Sequence, residues 1–338
     1  MSDTAPASTR TGATASGTSI VALGHYQPSR VVTNKDIEAM VDTSDEWIRS
    51  RVGIEERRIA EPGETVDSMA AAAARHALAN SDLDPSAIDL IVVATCTAID
   101  RSPNMAARVA VRLGLEGPAG SDGPALLDLN VACAGFSHAL AVADHTIRAG
   151  SARNALVIGS EKLTEFTDWS DRTTCVLTAD GAGAAVVSAS PDGAAGIGPV
   201  LWGSVPSMSN AVRIEATAER PVGAFAQEGQ SVYRWATTKL PAIAKRVCER
   251  GGVAPEELAA VVFHQANLRI IEPLARSLGA VNAVIAKDIV VSGNTSAASI
   301  PLAFSKLKER GEVASGAPVL LFGFGGNLSY AGQVVRCP

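Results

Sequence analysis

The sequence predicts an α/β protein made of two copies of one β/α unit, stacked as a five-layered α/β/α/β/α body. Two observations carry that expectation. Short β-branched runs alternate with helical patterns along most of the chain, which is the signature of sheets covered by helices. Four segments then recur in the same order in both halves. "AIDLIVVAT" (87–95) resembles "ELAAVVFHQ" (257–265), and "ACAGFSHALAVADHTIRAG" (132–150) resembles "TSAASIPLAFSKLKERG" (295–311). "NALVIGSEKL" (154–163) matches "PVLLFGFGGN" (318–327), and "GAGAAVVSAS" (181–190) matches "YAGQVVRCP" (330–338). With 338 residues, 47% hydrophobic and 19% charged, the chain can bury a large core.

The elements follow in order. Residues 1–17 are rich in Ser, Thr, Ala and Gly and lack the apolar stretch of a secretory signal, so they read as a flexible tail. A transit peptide is the weaker reading there. Strands are expected at 19–26, 89–96, 125–132, 154–161 and 183–190, then at 196–204, 259–265, 319–325 and 332–337. Helices are expected at 64–80, 104–114, 134–149, 230–251, 268–278 and 297–310. Such alternation points to parallel sheets. The first half then spans 18–190 and the second 191–338, joined near 188–195. Segments 161–180 and 205–229 have no counterpart in the other half. The latter reads as a polar loop, and insertions of this sort often cap active sites.

Composition narrows the function. A net charge of −6 argues against a nucleic-acid surface. No run of 18 apolar residues suggests a membrane span. The five cysteines are scattered without a C-x-x-C pair, which argues against a zinc site and for reduced thiols in a cytoplasm. No G-x-G-x-x-G, Walker or G-x-S-x-G pattern occurs, so nucleotide-phosphate and serine-hydrolase chemistry are poorly supported.

Three residues stand where chemistry is done. Cys133 ends a strand and opens a helix among Ala132, Ala134 and Gly135. Unpaired N–H groups and positive partial charge at a helix start push a thiol towards thiolate, and small neighbours leave room for a carbonyl. A buried core thiol fits the segment equally well. His264 closes the strand "AAVVF", at a sheet end where ligands sit, though a capping histidine fits too. Asn294 lies in "SGNTSAAS", the twin of the Cys133 loop. Its amide offers donors that do not titrate, and an ordinary turn asparagine is the alternative.

A Cys in "ACAGF", then "HQANLRI", "GNTSAASIP" and "FGFGG", together with "DTSDEWIRSRVGIEERRIA", resembles the β-ketoacyl-[acyl-carrier-protein] synthase III family from about residue 18 to the end. The resemblance implies the thiolase-like fold, a homodimer, and no metal or other cofactor. It implies that Cys133 takes an acyl group from acyl-CoA, with the Cys133 and Gly326 N–H groups as an oxyanion hole. His264 and Asn294 would then hold the thioester oxygen of malonyl-[acyl-carrier protein], with Phe324 on the malonyl side. It places CoA on Trp47, Arg51, Arg172, Gly229 and Asn267. Arg234, Arg269 and Arg276 offer a basic dock for an acidic carrier protein. Thr178 stands where relatives carry an aromatic at the acyl pocket, and Ser102 where they project a bulky residue across the dimer, which predicts branched or longer primers. Asn327 replaces a small residue in "FGGN", and Asn tolerates a left-handed turn. A relative that primes polyketides or transfers acyl groups is the near alternative. A degradative thiolase would need a second cysteine in "FGFGGNLSYAG", and a non-catalytic acyl-CoA scaffold would have lost Cys133, His264 or Asn294.

Overall fold

The computed structural model describes residues 17–98, 100, 102–115, 122–190, 193–218 and 221–338. The expected tail, except Gly17, and the middle of the expected join lie outside the described residues. The first sheet contains β1 (Thr18–Tyr26), β2 (Leu90–Ala94), β3 (Ala125–Leu129), β4 (Asn154–Lys162) and β5 (Asp180–Ala189), in the order β1-β5-β4-β2-β3. The second contains β6 (Leu201–Gly203), β7 (Ala260–Phe263), β8 (Val284–Ile285), β9 (Pro318–Phe324) and β10 (Tyr330–Arg336), in the order β6-β10-β9-β7-β8. One order repeats, as the paired sequence segments predict.

Both sheets are mixed, which corrects the all-parallel expectation. Strands β3, β2 and β4 run parallel, as do β8, β7 and β9, but β5, β1, β10 and β6 join antiparallel. The reason is the connection. No crossover helix separates β4 from β5, and β9 returns into β10 through the tight turn Gly326–Leu328, so each following strand must come back antiparallel.

Six long helices complete the layers: α1 (Val66–Ala79), α2 (Met105–Leu113), α3 (Gly135–Arg148), α4 (Gly229–Arg250), α5 (Leu268–Leu278) and α6 (Ser299–Glu309). Helices α1 and α2 cover the outside of the first sheet, α4 and α5 the outside of the second, and α3 and α6 lie between the sheets. That middle layer is apolar on both sides. Phe136, Leu140 and Ile147 of α3 and Ile300, Phe304 and Leu307 of α6 pack with Val92, Val157, Val262 and Leu321 from both sheets. Each such side chain contributes about 1.5–3 kcal/mol of burial.

Helix starts divide into two kinds. Thr65, Asn104 and Asn267 cap α1, α2 and α5 with side-chain oxygens. Among the described residues, no side chain caps α3, α4 or α6, and of these α3 and α6 run straight out of 3-10 turns, Ala132–Ala134 and Ser296–Ala298. Those two uncapped starts face each other between the sheets.

The expected polar loop at 205–229 is a correction. It holds a 3-10 turn, Pro206–Ala211, and a hairpin of Val212–Glu215 with Ala224–Gln227. Four-residue strands carrying Arg213 and Glu215 give too little alternation to register as strands. The expected strand 196–204 shrinks to β6, with Ile197 in an isolated bridge to Val335.

Candidate active site

The uncapped starts of α3 and α6 share one backbone device. Asn130 Oδ1 accepts from the Ala132 N–H at 3.3 Å, and Asn294 Oδ1 accepts from the Ser296 N–H at 2.9 Å. Ala132 and Ser296 then take left-handed φ values of 44° and 47°. Non-glycine residues pay roughly 1–3 kcal/mol for such a conformation, so the surrounding packing must enforce it. The next residues are Cys133 in one loop and Ala297 in the other. This pairing shifts the sequence correspondence by one residue, because "ACAG" over "TSAA" had set Cys133 against Ser296.

The thiol is covered by the turn after β9. A Cβ on Gly325 would stand 2.5 Å from Cys133 Cβ and 3.0 Å from Sγ, and one on Gly326 2.5 Å from Ala132 Cβ. Only glycine lets this backbone lie on the nucleophile loop. The turn continues through Asn327 at φ 59°, the left-handed conformation its side chain tolerates. The Gly326 and Cys133 N–H groups act to pull the Cys133 thiol down. Burial nevertheless pushes the Cys133 thiol up to about 11, outweighing the hydroxyl of Ser296 and these N–H groups. Burial thus opposes the helix-start effect on which the expectation of a thiolate rests.

His264 follows β7 and is fully enclosed. Burial pushes it down to about 3, so the imidazole is neutral at physiological pH. Its Nδ1 lies 2.7 Å from Ser299 Oγ. That oxygen also accepts the Gln265 N–H at 3.3 Å, an arrangement that suits a Ser299 hydroxyl donating to Nδ1 with the histidine proton on Nε2. Phe324 meets the ring edge-on, with centroids 5.5 Å apart. Asn294 spends Oδ1 on Ser296, which leaves Nδ2 to donate.

Two cavities meet at this point. The narrower, about 90 Å³, is bordered by Cys133, His264, Asn294, Phe324, Gly229 and Asn267. The wider, about 380 Å³, is bordered by Cys133, Asn294, Ser296, Leu163, Phe225 and Arg213. Cys133, Asn294, Val212 and Phe225 belong to both. The hairpin at 212–227 thus roofs the site.

The narrow cavity leads to the expected coenzyme residues. Asn267 Nδ2 donates to the Arg51 carbonyl at 3.3 Å. The guanidinium groups of Arg51 and Arg172 lie 5.9 and 5.3 Å from the Trp47 ring centroid, both within cation–π range. Arg234, Arg269 and Arg276 are exposed on α4 and α5. Thr178 lines neither cavity, and Ser102, expected where relatives reach across a dimer, lies outside both cavities of the single chain. Thr178 is buried beneath Asn294, its hydroxyl 2.6 Å from that of Thr167, and Ser102 is exposed on the surface. Leu163 and Phe225 form the apolar wall instead.

Sequence reasoning missed Ser296, Ser299, Cys96 and Glu161. The one available signal was a carboxylate ending the buried run "NALVIGSE". Among the described residues, no group of three or more His, Cys, Asp or Glu could hold a metal ion, and no helix is long and apolar enough to cross a membrane.

Comparison with known proteins agrees with this geometry. Residues 127–206 match the family model described as 3-oxoacyl-[acyl-carrier-protein] synthase III, and residues 248–337 match its C-terminal model. The chain is 69% identical to beta-ketoacyl-[acyl-carrier-protein] synthase III 4 of Streptomyces coelicolor, over 95% of this chain and 99% of that one. Among solved structures, the priming β-ketosynthase from the R1128 polyketide biosynthetic pathway superposes with a TM-score of 0.89 at 39% identity, covering 95% of this chain and 96% of that one. The 3-oxoacyl-[acyl-carrier-protein] synthase III of Aquifex aeolicus gives 0.86 at 40%, covering 95% and 100%.

Proposed function

The chain belongs to the 3-oxoacyl-[acyl-carrier-protein] synthase III family, and on that premise we propose how its residues divide the work. The reaction condenses an acyl-CoA primer with malonyl-[acyl-carrier protein], giving 3-oxoacyl-[acyl-carrier protein], CoA and CO2. One observation carries the assignment of roles: Cys133, His264 and Asn294 border a single narrow cavity.

CoA enters along Trp47, Arg51, Arg172, Gly229 and Asn267, where arginines pair phosphates and stack on adenine. Cys133 attacks the primer thioester, and the Cys133 and Gly326 N–H groups stabilise the oxyanion. CoA leaves, and the carrier's malonyl thioester takes its place. Nε2–H of His264 and Nδ2–H of Asn294 hold that thioester oxygen. Loss of CO2 then leaves an enolate stabilised by two neutral donors, with Phe324 walling the malonyl side. The enolate attacks the acyl-Cys133 carbonyl, forming the new C–C bond and releasing the Cys133 sulfur. A histidine held neutral by burial suits this role, because it donates without exchanging its proton near neutral pH.

The rest of the reading has its own supports. Residues 18–190 and 191–338 form the two halves. The edge strand β3 has its outer side unpaired among the described residues and exposes Leu127 at 42%, which suits pairing with a second copy. Free cysteines suit a reducing cytoplasm. Arg234, Arg269 and Arg276, exposed on α4 and α5, would serve as the carrier-protein dock. A wide cavity walled by Leu163, Val212, Ile214 and Phe225 favours branched or longer primers over acetyl. A second reading, priming of polyketide synthesis, is favoured by the likeness to the R1128 enzyme.

The test is mass spectrometry of the protein after acyl-CoA treatment, followed by turnover of a primer panel with malonyl-carrier protein. We expect one acyl adduct, absent from Cys133→Ala. An adduct that persists in that variant, or preference for acetyl over isobutyryl and longer primers, refutes the corresponding part.

A further inference from the structure

Arg57 is fully buried, yet among the described residues no carboxylate pairs with it. It lies in the short strand Glu56–Arg58, which runs antiparallel to Val31–Thr33. An enclosed cation without a counter-charge is destabilising, and an apolar side chain of similar volume would pack there at less cost. Its donors show what it holds. Nη1 donates to the Val32 carbonyl at 3.3 Å and to Asn34 Oδ1 at 2.9 Å, and Nη2 donates to the Val176 carbonyl at 2.9 Å. Nε is buried without a hydrogen-bond partner among the described residues. The planar guanidinium thus ties its own strand to two segments far apart in sequence.

Both segments lead to the site. The stretch after Val176 carries Asn294: the Asn294 N–H donates to the Leu177 carbonyl at 2.9 Å, and the Ala179 N–H donates to the Asn294 carbonyl at 3.0 Å. These two bonds form an isolated bridge between Thr178 and Asn294, outside either main sheet. At about 1 kcal/mol net for each bond, the bridge alone is a weak hold for a donor that must meet a developing oxyanion. The arginine braces it from behind. A Cβ on Gly293, at φ 70°, would stand 2.9 Å from Arg57 Cβ and 2.7 Å from Ala179 Cβ. On the other side, Asn34 Nδ2 donates to Asp45 Oδ1 at 2.7 Å and to the Ile54 carbonyl at 2.8 Å. Asp45 begins the helix Asp45–Val52, which carries Trp47 and Arg51.

We propose that Arg57 is a positioning residue for condensation, bracing the 176–179 segment so that Asn294 Nδ2 meets the malonyl thioester oxygen. The inference rests on the role proposed above for Asn294. Arg57 lines neither cavity and acts only through the backbone that carries the donor. Acylation of Cys133 uses the other loop and does not need this brace.

Two half-reactions separate this role from a general structural one. Acylation of Cys133 is read by single-turnover mass spectrometry at saturating acyl-CoA, because the Asn34 branch reaches the coenzyme wall. Condensation is read from pre-acylated enzyme mixed with malonyl-carrier protein. Arg57→Met keeps the apolar stem and removes the donors. Its acylation should stay within about threefold of wild type while condensation falls about 100-fold, the loss expected when a reacting group is misplaced by roughly an ångström. Arg57→Lys keeps the charge without the planar fork, and should lose about tenfold in condensation alone. Because the arginine works through Asn294, Arg57→Met should slow condensation no further in the Asn294→Ala background. Equal loss in both half-reactions, an additive loss in the double variant, or wild-type condensation in Arg57→Met overturns the proposal. Should Arg57→Met not fold, Arg57→Lys carries the same split and the same cycle. Wild-type condensation in Asn294→Ala, or no adduct on wild-type Cys133, defeats the parent reading instead, so the two failures are distinguishable.

Discussion

The Cys133 loop and the Asn294 loop are one piece of backbone used twice. Each places an asparagine two residues before a left-handed residue, ties that residue's N–H to the amide oxygen, and releases an uncapped helix into the same middle layer. Their side chains differ where the chemistry differs. The first loop sets a thiol after the strained position and a methyl group on it, Cys133 and Ala132. The second sets a hydroxyl on the strained position and a methyl after it, Ser296 and Ala297. The two copies share their backbone geometry and differ in their side chains, as the proposed division of the reaction requires.

That comparison can be broken outright by making the loops alike. Cys133→Ala gives the first loop the methyl of the second, and overall condensation should fall by at least roughly 10,000-fold, measured as 3-oxoacyl product. Asn294→Ala tests the other side. Adduct formation at Cys133 should persist while condensation falls about 100–1000-fold, the usual cost of one oxyanion donor. If both half-reactions fall together, the division of labour between the loops is wrong.

Two smaller effects sharpen it. Ser299→Ala removes the hydrogen-bond partner of His264 Nδ1, and condensation should slow about tenfold with acylation unchanged. Stability should also fall with acid. His264 is held neutral down to about pH 3 and its unfolded value is near 6.5, so between those limits the unfolded chain binds the extra proton. Stability therefore rises with pH across that window, by up to about 1.4 kcal/mol per unit for this group. His25, pushed down to about 4 chiefly by burial, adds in the same sense over a narrower range. Denaturant melts of wild type and His264→Asn at pH 4 and 7 would show a shallower dependence in the variant.

Much of this was legible in the residues. The helices fall within a few positions of their expected bounds, because 3.6-residue periodicity and Gly stops are local signals; Cys133 and His264 stand at strand–helix junctions that the alternation exposes, and Asn294 in the Gly-flanked loop before a helix. What was hidden depends on distant contacts. The backbone packed on Cys133 is the Gly325–Gly326 turn, more than half the chain away in sequence. Thr178 looked like a pocket wall, but Thr167 draws its hydroxyl inward. The hairpin strands Val212–Glu215 and Ala224–Gln227 become visible only once paired over the cavities. The one-residue shift between the twin loops was invisible because small residues align with small residues in either register.

Helices α3 and α6 lie side by side in one slab gripped by both sheets, and this fixes how substrates must arrive. A clamshell that parts its halves to admit a bulky guest is denied to such a molecule, since opening it would tear the shared floor from under both reaction partners. Cargo has to be threaded in, tip first, on a slender tether, and withdrawn the same way.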